Sequence, residues 1–236
     1  MPLKQLIPFK QIDDATHLTV AQLLSFMHNE RVLVLQPNYE PYHKLLLHQV
    51  EVADAALIDV LIFKDETDFL AQLSLFPQGC YSDIVGFNFI HQFLHIPHVF
   101  HSLSAFLAPE GRLHLTWPAP FVFAHASTYS EEEIALEVCN NAMTGFGLAR
   151  YAKTFYLERC QPLKSLHVHT NHWLLCFDSV DSVASWHTQS AQWFFQEANT
   201  KVTNQQRFFK ALYEAYVSGD YLAEIAITVA HFQKKS

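Results

Sequence analysis

Four histidines, His91, His95, His98 and His101, recur at steps of three or four residues, a spacing that gathers imidazoles toward one side of a helix. A metal site would ordinarily recruit thiolates or carboxylates as well, and Pro97 interrupts the run. No metal is therefore expected. A neutral imidazole at the end of a strand is better suited to taking a proton, which makes His91 and His95 the candidate bases. Asp65 follows the apolar run "LIDVLIF" (57–63), so it stands at the carboxyl end of a strand, where parallel sheets bind ligands. His167 and His169 share one face of a later strand and are expected on the surface or satisfied in the core. Tyr213, Tyr216 and Tyr221 are expected to pack.

The elements that must position these groups follow from periodicity. "HLTVAQLLSFMH" (17–28) has apolar residues at helical spacing and runs into a short buried strand at 32–35. A helix over 42–54 is expected next, then the strand 57–63, whose unbroken apolar character suits a strand buried on both faces of a parallel sheet. "DETDFLAQLSLF" (65–76) opens with acids and places Phe69, Leu70, Leu73 and Phe76 on one side, which predicts a helix. A strand over 83–89, a helix over 96–111 opened by Pro97, and a strand over 112–117 complete the pattern. Alternating strands and helices predict an α/β fold with a doubly wound, mostly parallel sheet. The spacing further predicts helix over 130–158, a strand or hairpin over 164–177, helices over 178–197 and 203–217, and a last strand over 221–232.

Half of the 236 residues are hydrophobic and twenty are phenylalanine, so a large core is expected and disorder is not. A net charge of −8 argues against nucleic acid as a partner. Cys80, Cys139, Cys160 and Cys176 have no metal-ligand spacing. Scattered thiols without a signal segment fit a reducing cytoplasm, and no apolar run reaches the roughly 18–20 residues that span a bilayer. Basic residues cluster in the C-terminal third, among them Arg150, Lys153, Arg159 and Lys164.

The run from Ser82 to Trp117, "SDIVGFNFIHQFLHIPHVFHSLSAFLAPEGRLHLTW", resembles the second half of class I S-adenosylmethionine-dependent methyltransferases. Asp83-Ile84-Val85 opens the strand, Asn88 is the polar residue at its end, and Leu107 to Gly111 match the "L-x-P-x-G" turn. "NFIHQF" is similar to a segment of malonyl-carrier-protein methyltransferases, and "LLCFDSVDSVASW" is similar to the lid region of these and of trans-aconitate methyltransferases. The resemblance implies a Rossmann-like core over 1–129 and a helical lid with the last strands over 130–236, completing one domain. It implies S-adenosylmethionine as cofactor, near Gln36, Asn38, Asp65 and Asn88. It further implies a carboxylate or hydroxyl acceptor on a small acid or acyl carrier protein, its charge met by Arg150, Lys153 or His187. In the family an acid ends the first strand and a glycine-rich turn follows. Here Val34 takes the acid's place, and Gln36, Asn38 and Glu40 take those of the glycines, so the cofactor-binding half is reduced. Two readings stay open: an active methyltransferase with an altered cofactor loop, or a pseudo-enzyme that binds an acyl carrier protein or a related enzyme.

Overall fold

Strand β2, Arg31–Pro37, lies between two neighbouring strands and is buried on both faces: Val32, Leu33, Val34 and Leu35 are wholly buried. The computed structural model describes residues 5–8, 19–28, 30–37, 43–52, 55–87, 89–90, 93–118, 156–177, 179–182 and 221–235. In chain order these are β1 (Gln5–Pro8), a helical turn α1 (19–24), β2, α2 (His43–Val52), β3 (Leu57–Phe63), α3 (Glu66–Leu73), β4 (Tyr81–Gly86), α4 (Ile96–Phe106), β5 (Leu107–Pro118), β6 (Leu163–Phe177) and β7 (Tyr221–Lys234). The hydrogen-bonded order is β1-β6-β7-β5-β4-β2-β3.

The chain divides into two compact units. One comprises Thr16–Trp117, Lys153–Thr170 and Ile227–Ser236. In it β2 pairs in parallel with β3 on one side and β4 on the other, and β4 pairs in parallel with β5. Lys234 Nζ donates to Leu107 O, Gln233 reaches Glu110, and His231 meets His114. Partners on β5 therefore rise in number as β7 is read backwards, so β7 runs opposite to β5 and the sheet is mixed. The other unit comprises Met1–Ala15, Pro118–Ala152 and Asn171–Ala226; in it β1 pairs in parallel with β6, Gln5 opposite Trp173 and Pro8 opposite Cys176.

Alternation along each strand sorts side chains between the two faces. Leu33, Leu35, Ile84, Leu113, Leu115 and Phe232 pack with Phe69 and Leu73 of α3 and with Val99, Phe100 and Leu103 of α4. Val32, Val34, Val85, Phe87 and Val229 pack with Val20 and Leu23 of α1 and with Leu46 and Val50 of α2. Helices cover both faces, as the doubly wound pattern requires. Beyond β2 the described sheet carries only β3, whose edge position leaves Leu57 60% and Ile62 52% exposed. Asp59 ties the amino ends of β2, β3 and β4 together, accepting from Arg31 Nε and Nη2 and from the Tyr81 hydroxyl.

Two expected boundaries move. The helix predicted over 96–111 ends at Phe106, and β5 starts at Leu107. Leu107 is already extended, Pro109 disfavours helical geometry at Ala108, and Glu110 takes a positive φ of 62°. The stretch read as a strand or hairpin over 164–177 is one long strand, β6. Of the predicted helices over 130–158, 178–197 and 203–217, only 156–158 and 179–182 lie within the described residues, where 156–157 and 180–182 are helical. No described helix is long and apolar enough to cross a membrane.

Where β4 meets β5 the backbones are close. A Cβ on Gly111 would stand 2.8 Å from Tyr81 O and 2.9 Å from Ala108 O, and neither carbonyl can swing aside as a side chain would. Gly111→Ala is expected to cost about 1–3 kcal/mol. Thermal denaturation checks this, and an unchanged midpoint would contradict the close approach.

A candidate site at the switch point of the sheet

The chain leaves β2 for β3 on one side and returns to β4 on the other, which makes the carboxyl ends of these three strands a topological switch point, the place where such sheets bind ligands. Gln36, half-buried, and Pro37, buried opposite Phe63, end β2. Asp65 follows β3 and caps α3, its Oδ1 accepting the Asp68 N–H at 2.9 Å. Its side chain is exposed, and Oδ2 has no partner among the described residues. Glu66, the first residue of α3, reaches across to the start of α4. Its Oε2 accepts the Leu94 N–H at 2.7 Å, and its Oε1 lies 2.9 Å from His95 Nδ1. Anionic oxygens at a helix start are favoured by the helix dipole. Beneath this link Phe63, Phe69, Phe89 and Phe93 interlock, with Phe89 and Phe93 centroids 4.7 Å apart and Phe69 and Phe93 5.0 Å apart. Gly86 admits Phe89 to the strand, since a Cβ there would stand 2.8 Å from Phe89 Cβ.

No protein-family model and no curated protein matches this sequence. Among solved structures, the chain is similar to the cyclopropane synthase MmaA2 from Mycobacterium tuberculosis, at 10% identity and a TM-score of 0.53, covering 94% of this chain and 85% of that one. It is also similar to a candidate methyltransferase from Bacillus halodurans C-125, at 12% identity and a TM-score of 0.52, covering 94% of this chain and all of that one. The fold is the Rossmann-like methyltransferase fold. At these identities the likeness speaks for architecture alone.

On the methyltransferase fold, Gln36 and Asp65 both reach the switch point, at the ends of neighbouring strands. His95 lies there too, 75% exposed at the start of α4 and bonded to Glu66. Asn38, Asn88, His91, Arg150, Lys153 and His187 lie outside the described residues. His98 and His101 are exposed on α4, and no three metal-ligating side chains are grouped to hold an ion among the described residues. Glu66 was not singled out by sequence reasoning. The acidic first turn of "DETD" was legible, but its reach to α4 depends on how two helices pack.

A second polar cluster, also missed, lies on the α1 and α2 face of the methyltransferase fold, where Asp83, His114 and His231 are all 0% exposed. Asp83 Oδ1 is 2.9 Å from His114 Nε2, and His114 Nδ1 is 2.9 Å from His231 Nδ1. Asp83 Oδ2 accepts the His28 N–H and the Ser82 hydroxyl. An ionised Asp83 makes His114 Nε2 the donor; Nδ1 is then an acceptor, and His231 must carry its proton on Nδ1. His231 Nε2 is left as a buried lone pair without a partner among the described residues. Burial by itself would raise the Asp83 carboxyl, but hydrogen bonds and charge from His114, with the His28 N–H and Ser82, hold it below the ordinary carboxylate range. Burial pushes His114 down despite Asp83. Burial, with neighbouring imidazoles and Arg112, pushes His231 down to about 3. Phe26 covers the cluster, its ring 4.4 Å from that of His231 and 5.6 Å from that of His167.

Proposed function

We propose that the protein is an S-adenosylmethionine-dependent methyltransferase that modifies a carboxylate or hydroxyl on a small acid or on an acyl group held by a carrier protein. The observation carrying this reading is Asp65: an exposed carboxylate at the switch point of a methyltransferase fold, with one oxygen engaged in capping and the other unpartnered. That free acceptor fits the ribose hydroxyls of the cofactor, from which Asp65 Oδ2 would accept hydrogen bonds. Gln36 would contact the cofactor beside it, with Asn38 and Asn88 alongside. The bound cofactor supplies an electrophilic methyl group. The protein's share is to align the acceptor and neutralise its charge, the latter by Arg150, Lys153 or His187.

Calorimetry with S-adenosylhomocysteine tests the reading. Saturable binding is expected, weakened about ten-fold or more in Asp65→Asn, since a charge-assisted hydrogen bond contributes roughly 1.5–3 kcal/mol. Asparagine still caps helices well, so that variant removes charge and leaves α3 intact. No heat at millimolar ligand would end the proposal.

A second reading is favoured by the end of β2. Strand pairing runs on through Pro37, which is buried and has no N–H to offer, and the sequence Gln36 to Pro41 has no glycine. Glycines there would let backbone N–H groups approach a ligand closely. On this reading the fold is a non-catalytic binding partner of an acyl carrier protein or of a related enzyme. A chain that binds no S-adenosylhomocysteine but co-elutes with an acyl carrier protein in gel filtration would favour it.

A further inference from the structure

β3 and β4 flank β2, and a single carboxylate joins the segments that follow their carboxyl ends. Glu66 uses both oxygens in doing so: Oε2 for the Leu94 N–H, Oε1 for His95 Nδ1, and both within 3.4 Å of the His95 N–H. The carboxylate is fixed at its base by the first turn of α3 and at its tip by the backbone entering α4. It cannot turn away without stranding those N–H groups. A carboxylate can only accept, so the proton of the His95 ring sits on Nδ1 and the lone pair on Nε2. Glu66 is 17% exposed and His95 75%. A half-buried orienting acid therefore holds an imidazole that is itself open to solvent at the switch point, the arrangement of a general base and its orienter.

The chemistry of the two acceptor classes then separates. A carboxylic acid, with a pKa near 4, is already ionised at neutral pH and needs no base. A hydroxyl must lose its proton as its oxygen takes the methyl group. We propose that His95 is the general base for a hydroxyl acceptor, with Glu66 as its positioning residue. This rests on the methyltransferase reading and narrows it to one acceptor class. The acceptor oxygen attacks the methyl carbon of the sulfonium; the C–O bond forms as the C–S bond breaks. The hydroxyl proton passes to His95 Nε2 and then to water, and the neutral thioether leaves.

The test uses the full chain, S-adenosylmethionine, and 3-hydroxypropanoate, which offers a hydroxyl and a carboxylate in one small acid. Mass spectrometry before and after mild alkali distinguishes an ether, which survives, from an ester, which is hydrolysed. The ether is expected. His95→Asn keeps a good helix cap. It should slow transfer by about 10²-fold or more, with S-adenosylhomocysteine affinity unchanged. Nitrogen-15 spectra give a readout apart from activity: His95 should carry its proton on Nδ1, and Glu66→Gln should mix the tautomers. An ester product, a rate indifferent to His95→Asn, no transfer in a chain that binds S-adenosylhomocysteine, or a wild-type His95 protonated on Nε2 would each overturn the inference while leaving the methyltransferase reading standing. Failure to bind S-adenosylhomocysteine would overturn both.

Discussion

Asp83→Ala is expected to remove about 3–5 kcal/mol of folding free energy, since hydrogen bonds to a buried carboxylate contribute roughly 1.5–3 kcal/mol each and their donors are left unsatisfied. His114 Nε2–H and the His28 N–H lose their acceptor directly, and the His231 N–H loses a fixed one because the tautomer of His114 is no longer set; the Ser82 hydroxyl keeps Arg31 O at 3.0 Å. Asp83, His114 and His231 are 0% exposed, so water cannot stand in for the lost carboxylate among them. Urea denaturation at pH 7 measures the loss. Asp83→Asn keeps an acceptor oxygen and the side-chain shape, so it should lose less. If both variants unfold at the wild-type midpoint, the buried network does not hold this region together.

Acid should destabilise the protein earlier than its carboxylates alone would. His231 is pushed down to about 3 in the folded protein from the ordinary imidazole value of about 6.5, so between those values the unfolded chain binds a proton that the folded chain refuses. Stability therefore rises with pH across that window. It is fully present above 6.5 and is lost as pH falls toward 3, at a limiting slope of about 1.4 kcal/mol per pH unit for one proton. His114 is pushed the same way and adds to the slope. Asp83 is also held low, so its contribution is present above the ordinary carboxylate range and disappears only at still lower pH. The measurement is the urea midpoint at a series of pH values from 7 to 4. In His231→Phe the slope should shrink by about one proton; an unchanged slope would mean that His231 titrates normally in the fold.

The parallel core was readable because its signals are local. "RVLVL", "LIDVLIF" and "SDIVGF" are short apolar runs set between helical patterns, and they became β2, β3 and β4. Choosing a helix over 42–54 with 57–63 as the next strand rested on the length a parallel crossover needs, and α2 and β3 bear it out. The predicted helix over 96–111 takes its end from Pro109–Gly111, but Pro109 acts one residue earlier, disfavouring helical geometry at Ala108, and α4 ends at Phe106. β1 was not expected: it is four residues long and takes its conformation from β6. The buried cluster was hidden for a different reason. Asp83, His114 and His231 lie on three strands, with His114 and His231 separated by 117 residues. The signal available was a charged or imidazole side chain in the middle of an apolar strand, as in "RLHLTW" and "TVAHF". Such a residue on a two-face-buried strand must find a partner, although sequence alone does not say which.

The position of β7 also sets a clock. It is the latest of the seven strands in the chain, yet it lies between β5 and β6. At roughly 5–20 residues per second of synthesis, the 117 residues between His114 and His231 take about 6–25 s to be made. Throughout that interval β5 has an open edge, and His114 is held by Asp83 alone. A nascent chain paused in this window would present an unpaired strand beside apolar surface, which is what chaperones hold and what aggregation recruits.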